Sequence, residues 1–269
     1  MFKTRLLSGI VLVLVALLTI CSGGTVLYMT VLCLSLIGAG ELFRAMKVRE
    51  DKWNLLEITG YAGVVIFYLS LLLHDPMYQM LALILDLVLL MAVYVFTYPK
   101  YNANQVMPAF FAIVYVGVML SYVYQTRMLD GGKFHVWLIF LCSWGCDTCA
   151  YCVGVLFGKH KMAPVLSPKK SIEGAVGGVV GSALLGCIYA YFFGAKMDEV
   201  SNPMVACAVA CAIAAVISQI GDLAASAIKR NHNVKDYGNL IPGHGGVLDR
   251  FDSMIFTAPA IYFALTFLR

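Results

Sequence analysis

The run MYQMLALILDLVLLMAVYVFT, residues 77–97, carries a single charge, Asp86, in 21 positions. A helix rises 1.5 Å per residue and a bilayer core is about 30 Å thick, so roughly 20 such residues cross it. The run has no polar stripe of the kind a surface helix of a soluble domain needs. It reads as a transmembrane helix.

Working outward, further apolar segments are centred at 6–21, 25–40, 56–73, 107–124, 135–157, 175–195, 203–225 and 252–268. The expectation is an all-α, polytopic integral membrane protein with about nine transmembrane helices. Composition agrees: 61% of residues are apolar and 13% charged, with a mean hydropathy of +0.84. A soluble domain holds about 45–50% apolar residues. The alternating segments of a β-barrel are absent from the pattern, and the net charge of +4 does not point to nucleic acid.

The first segment, KTRLLSGIVLVLVALLTICSGG (3–24), has the basic start and apolar core of a signal peptide but no A-x-A-like site, so it is read as helix one. Counting Lys and Arg on alternate sides gives fifteen against four. By the positive-inside rule the N-terminus is then cytoplasmic and the C-terminus outside. The chain is read as one membrane domain over 1–269, with 1–134 as scaffold and oligomer-contact helices and 135–269 as catalytic helices and cytoplasmic loops.

Three polar constellations fall on or near the cytoplasmic side. CDTCAY (146–151) puts Asp147 inside an apolar segment, with Tyr151 one turn on; a carboxylate there is costly unless paired, metal-bound or facing a wet cavity. LSPKKSIEG (166–174) sets Lys169, Lys170 and Glu173 at the headgroup boundary before a helix start. GDLAASAIKRNHNVKDYGNLIPGHGGVLDRFD (221–252) holds Asp222, Lys229, Arg230, Lys235 and Asp236. A glycine-rich loop whose bare backbone can approach a ligand follows, and then come Asp249, Arg250 and Asp252.

Asp249 and Asp252 stand at i,i+3, so on a helical turn both carboxylates point the same way. With Asp222 they could supply hard oxygen to Mg²⁺, which takes one or two carboxylates and completes its shell with water and phosphates. The mixture of acids, Arg, Lys and backbone amides suits a polyphosphate at a membrane surface, and Arg250 could lock the acids or fork onto phosphate oxygens. His244, alone and without an HExxH pattern, reads as a phosphate or loop-organising contact instead of a zinc ligand. Cys142, Cys146, Cys149 and Cys152 form one helical stripe and read as packing residues. GAVGGVVGSALLG (174–186) reads as close helix packing through small residues.

Residues 226–252, SAIKRNHNVKDYGNLIPGHGGVLDRFD, resemble the signature of the phosphatidate cytidylyltransferase (CDP-diacylglycerol synthase) family in its bacterial form. That pattern is S-x-aliphatic-K-R, four residues, K-D-x-G, then P-G-H-G-G-aliphatic-x-D-R-x-D, and every fixed position is met. The family's S-P-K-K-[ST]-x-E-G is met by 167–174. Its D-T-[GA]-A-Y is similar to 147–151, with Cys149 where a smaller residue is usual.

The resemblance implies transfer of CMP from CTP to phosphatidate in phospholipid biosynthesis, at the cytoplasmic face of the inner (plasma) membrane. It implies Mg²⁺, with K⁺ nearby in some members, and a homodimer. Asp222, Asp249, Arg250 and Asp252 would form the catalytic set, with Asp222 and Asp249 the first metal ligands and Asp252 the third. Lys229, Arg230, Lys235 and Arg250 would hold phosphates, and Lys169 and Lys170 would meet headgroup or nucleotide. Asp147 would line the cavity through which lipid enters; Glu173, Ser226, Asp236, His244, Gly245 and Gly246 would complete the substrate contacts.

Two other readings compete. A transporter would find an intramembrane acid in Asp86, for which a helix-to-helix hydrogen bond is the expectation, but paired half-helix repeats are lacking. A CDP-alcohol phosphotransferase would need a D-G-x-x-A-R element, which the sequence lacks.

Overall fold

A computed structural model describes residues 2–49, 54–197, 200, 202–243 and 245–268. Among them the chain forms α1 (Phe2–Ser22), α2 (Gly24–Ala45), α3 (Leu55–Leu71), α4 (Pro76–Phe96), α5 (Ala103–Ala112), α6 (Met119–Met128), α7 (Gly132–Phe157), α8 (Ile172–Phe193), α9 (Pro203–Asn231) and α10 (Leu248–Phe267). A π-helical stretch, Ile113–Val118, follows Pro108 and joins α5 to α6 in one apolar rod, Ala103–Met128. The protein is an all-α, multi-pass membrane protein.

Among the described residues six rods are long and apolar enough to cross a membrane: α2, α4, α5 with α6, α7, α8 and α9. The apolar parts of α1 and α3 are shorter. The last helix differs because Asp249, Arg250 and Asp252 crowd its first turns.

Local sequence explains the helix starts. Asn54 accepts the Glu57 amide at 2.8 Å, and Asp75 accepts the Met77 amide at 2.8 Å just before Pro76. Each side chain satisfies a donor that the first turn leaves unpaired.

One departure from an all-helical reading lies in the loop before α8. Strand β1 (Lys161–Ala163) pairs antiparallel with β2 (Ser167–Ser171), Lys161 opposite Ser171. Pro168 sits in β2. A two-stranded ribbon has only edges, so a missing N–H is tolerated.

The chain divides into two compact units, each drawing on distant stretches of sequence. The first comprises Met1–Val13, Tyr28–Ser121 and His232–Arg250; the second comprises Leu14–Leu27, Tyr122–Asn231 and Phe251–Arg269. In the first, Tyr68 is fully buried and its hydroxyl lies 2.7 Å from that of Ser35. Asp86 corrects an expectation. It is 1% exposed, and among the described residues neither carboxylate oxygen has a hydrogen-bond partner. Across the helix contact it meets Gly63, whose added Cβ would stand 3.1 Å from the Asp86 carboxyl carbon and 2.6 Å from Ile113.

In the second unit, α7, α8 and α9 pack through the cysteine and glycine stripes. A Cβ on Gly178 would stand 3.0 Å from Cys146 Sγ, and one on Gly186 would stand 2.6 Å from Cys211 Sγ and 2.7 Å from the Cys207 carbonyl. Glycine lets the backbones approach this closely. Gly186→Val is therefore expected to cost about 1–3 kcal/mol, read as a lowered Tm in detergent; an unchanged Tm would mean that the interface gives way.

Candidate functional site

In the first unit, the segment from His232 to Arg250 folds around two buried carboxylates. The Asp249 side chain, 7% exposed, accepts the amides of Tyr237 at 2.8 Å and Gly246 at 3.0 Å through one oxygen, Oδ2. Ile241 donates its amide to the Gly245 carbonyl at 2.9 Å and closes a tight turn. Gly243 and Gly245 have φ of 77° and 86°, which glycine adopts without steric cost. At Gly245 a Cβ would also sit 2.9 Å from Asp249 Oδ2.

The second carboxylate is Glu41 of α2, fully buried, which accepts the Val247 amide at 2.9 Å and the Leu248 amide at 2.8 Å. It thus caps α10 from a helix far away in sequence. Sequence reasoning passed over it. The signal was present: a lone acid in an apolar span, GAGELF (38–43), to which the rule used for Asp147 applies equally.

Outside these anchors lies a cavity of about 570 Å³ lined by Lys235, Asp236, Asn239, Ile241, Gly243, Gly245 and Arg250. Two cationic side chains and turning backbone face it, while the amides of Tyr237, Gly246, Val247 and Leu248 are engaged on the carboxylates. His244 lies outside the described residues.

In the second unit, a cavity of about 470 Å³ opens among α7, the β-hairpin, α8 and α9. Asp147, Tyr151, Lys169, Lys170, Gln219 and Asp222 line it together with apolar residues such as Val155 and Met162. Lys170 on β2 forms an ion pair with Asp222 on α9. Gln219 donates to the Ala175 carbonyl at 3.0 Å.

The hairpin that carries the two lysines is braced at its base. Glu173 accepts the amides of Lys159 at 3.1 Å and His160 at 3.2 Å, and His160 Nδ1 lies 2.6 Å from its other oxygen. Ser171 caps α8 by accepting the Gly174 amide at 3.1 Å. Glu173 therefore holds the turn that presents Lys169 and Lys170.

Asp252, half-buried, interacts electrostatically with Asp222, Asp147 and Lys229, and its Oδ1 accepts the Ser253 amide at 2.8 Å. Ser226 is half-buried on α9, and Lys229 and Arg230 end that helix, where cations suit its dipole. Asp249 and Asp252 thus share one helix but serve different surroundings: the first holds the glycine loop, the second joins a group of acids. Among the described residues no three His, Cys, Asp or Glu side chains stand together as a ready metal cage.

Cys149, the departure from D-T-[GA]-A-Y, is accommodated locally. Gly181 faces it, and a Cβ there would come within 2.5 Å of Cys149 Sγ. Cys149→Ala should leave turnover within about twofold and stability within about 1 kcal/mol, because it removes one small, half-buried group.

Apolar helices of spanning length, with a glycine-turned cavity that Lys235 and Arg250 line, define a multi-pass membrane protein with a cationic pocket. The chain belongs to the cytidylyltransferase family, whose sequence pattern matches residues 3–268, and it is a nucleotidyltransferase. It is 31% identical over 271 residues to the phosphatidate cytidylyltransferase of Bacillus subtilis, covering 98% of this chain and 97% of that one. The phosphatidate cytidylyltransferases of Staphylococcus epidermidis and Staphylococcus aureus are each 33% identical, over 264 and 267 residues, covering 96% of this chain and 97% of theirs.

Proposed function

We propose that the protein transfers CMP from CTP to phosphatidate, giving CDP-diacylglycerol and pyrophosphate. The observation that carries this reading is the cavity built by the signature loop, with Lys235 and Arg250 beside backbone turning at Gly243 and Gly245. Cationic walls and close-approaching backbone suit the triphosphate of CTP. The cavity of the second unit, where Lys169, Lys170 and Asp147 mix with apolar side chains, suits a lipid phosphate whose tails remain in the bilayer.

The chemistry asks for positioning and charge neutralisation. A phosphate monoester has a second pKa of about 6, so the lipid phosphate is largely ionised at neutral pH and needs no strong protein base. Its oxygen attacks the α-phosphorus in line. A new P–O bond forms, the bond to the β-phosphate oxygen breaks, and pyrophosphate leaves with the electron pair. Lys229, Arg230, Lys235 and Arg250 offset the negative charge, and Ser226, Asp236 and the glycine backbone complete the contacts.

The reading keeps Mg²⁺ as cofactor and Asp222, Asp249 and Asp252 as its candidate oxygen donors, because this ion commonly takes one or two carboxylates and fills its shell with phosphates and water. The mutual electrostatic interaction of Asp222 and Asp252 supports cation binding at that end. When bound, the ion would neutralise triphosphate charge. The reading also includes K⁺ as a second ion and a homodimer. It includes a cytoplasmic active face at the inner membrane, supported by the fifteen-to-four distribution of Lys and Arg.

The test is purified protein with labelled CTP, phosphatidate and Mg²⁺. CDP-lipid and pyrophosphate should appear in equal amounts, and chelation by EDTA should remove the activity in a way that added Mg²⁺ restores. Folded protein that makes no product across several acyl chains would overturn the assignment.

A further inference from the structure

The glycine loop does not hold itself in place. Glu41 approaches it from α2, fully buried, and takes the amides of Val247 and Leu248 at 2.9 and 2.8 Å. The surrounding loop is shaped to that carboxylate: a Cβ on Gly238 would stand 2.5 Å from Glu41 Oε1, and one on Gly246 would stand 2.5 Å from both Glu41 oxygens. Two glycines of the signature are thus required by an acid outside it. The amides flanking Glu41 belong to the residues just before Asp249 and Arg250, so its position sets where α10 begins.

We propose that Glu41 is a positioning residue for the proposed phosphate cavity. It acts in two ways. By holding the first turn of α10, it fixes the direction in which Asp249 and Arg250 leave the helix. By engaging the Val247 and Leu248 amides, it also removes donors that would otherwise attract a phosphate to the helix N-terminus. An incoming phosphate is then left to Lys235 and Arg250, the cations that line the cavity. The kinetic side of this inference rests on the cytidylyl-transfer reading, whereas the anchoring side does not.

The experiment compares the full chain in detergent with Glu41→Gln and, as an independent route to the same disturbance, Gly246→Ala. Amide hydrogen exchange is read on peptides covering 238–250, and steady-state kinetics are read with CTP and phosphatidate varied separately. In both variants the loop peptides should exchange faster while those of α3 and α4 do not. Turnover should fall about 10–100-fold, as when a group supporting a site is removed. The KM for CTP should rise while that for phosphatidate stays within twofold, and Glu41→Asp should recover part of the loss. Asp86→Asn, an equally buried acid of the same unit, should leave loop exchange unchanged.

Unchanged loop exchange in Glu41→Gln overturns the anchoring. Equal increases in both KM values, together with faster exchange throughout the unit, overturn the positioning role in favour of general stability. If Glu41→Gln does not fold, Gly246→Ala decides between the same outcomes. Should the unsubstituted protein make no CDP-lipid, the transfer reading fails, and loop exchange still decides the anchoring.

Discussion

Asp249→Asn is expected to lower kcat/KM for cytidylyl transfer by about 10²–10³-fold, the scale of losing a preorganised electrostatic contact, with expression and Tm nearly unchanged. The substitution keeps the side chain's shape and one carbonyl oxygen, so an acceptor for the Tyr237 and Gly246 amides, now at 2.8 and 3.0 Å, remains. What disappears is the negative charge, and with it the divalent-ion ligand that the proposed mechanism assigns to Asp249. The loop should persist while turnover does not. Hydrogen exchange over 238–250 separates the two effects: normal protection with lost activity supports a role in the chemistry, whereas lost protection reduces Asp249 to a loop anchor. Activity within threefold of the unsubstituted protein would remove Asp249 from the catalytic set.

The second large effect concerns the pair formed by Lys170 and Asp222, each 28% exposed. Lys170→Met and Asp222→Asn should each reduce turnover by about 10²-fold on the same electrostatic scale. The double variant should lose less than the product of the single losses, a coupling of about 0.5–3 kcal/mol in a double-mutant cycle. Coupling is expected because either single change leaves a partly buried charge without its partner. Strict additivity would mean that the two side chains act separately and that the β-hairpin serves only as a tether.

Much of the candidate site is legible in the sequence. Lys235, Asp236, Gly245 and Arg250 were read as one site together with Asp222; they line one cavity, and Asp222 is not among its residues. Asp147, Lys169, Lys170 and Asp222 come from three separate stretches and line another. Other details were hidden. The pairing of Lys161–Ala163 with Ser167–Ser171 has no strong strand pattern behind it, because a polar five-residue ribbon gives hydropathy little to register. The glycines of the loop looked like surfaces for phosphate, yet the Gly246 amide is engaged by Asp249, and Glu41 fills the space beside Gly238 and Gly246.

By itself the sequence determined the membrane class and the family resemblance. Hydropathy accumulates along a continuous segment, and the K-R…K-D…G-H-G-G…D-R-x-D spacing is a local record of chemistry. Only the tertiary structure decided which side chain answers which backbone donor. Glu41 and Val247 are 206 positions apart, and no periodicity links them. A buried carboxylate and an unpaired helix N-terminus each carry a desolvation cost that the other relieves, and folding brings those two needs to one place.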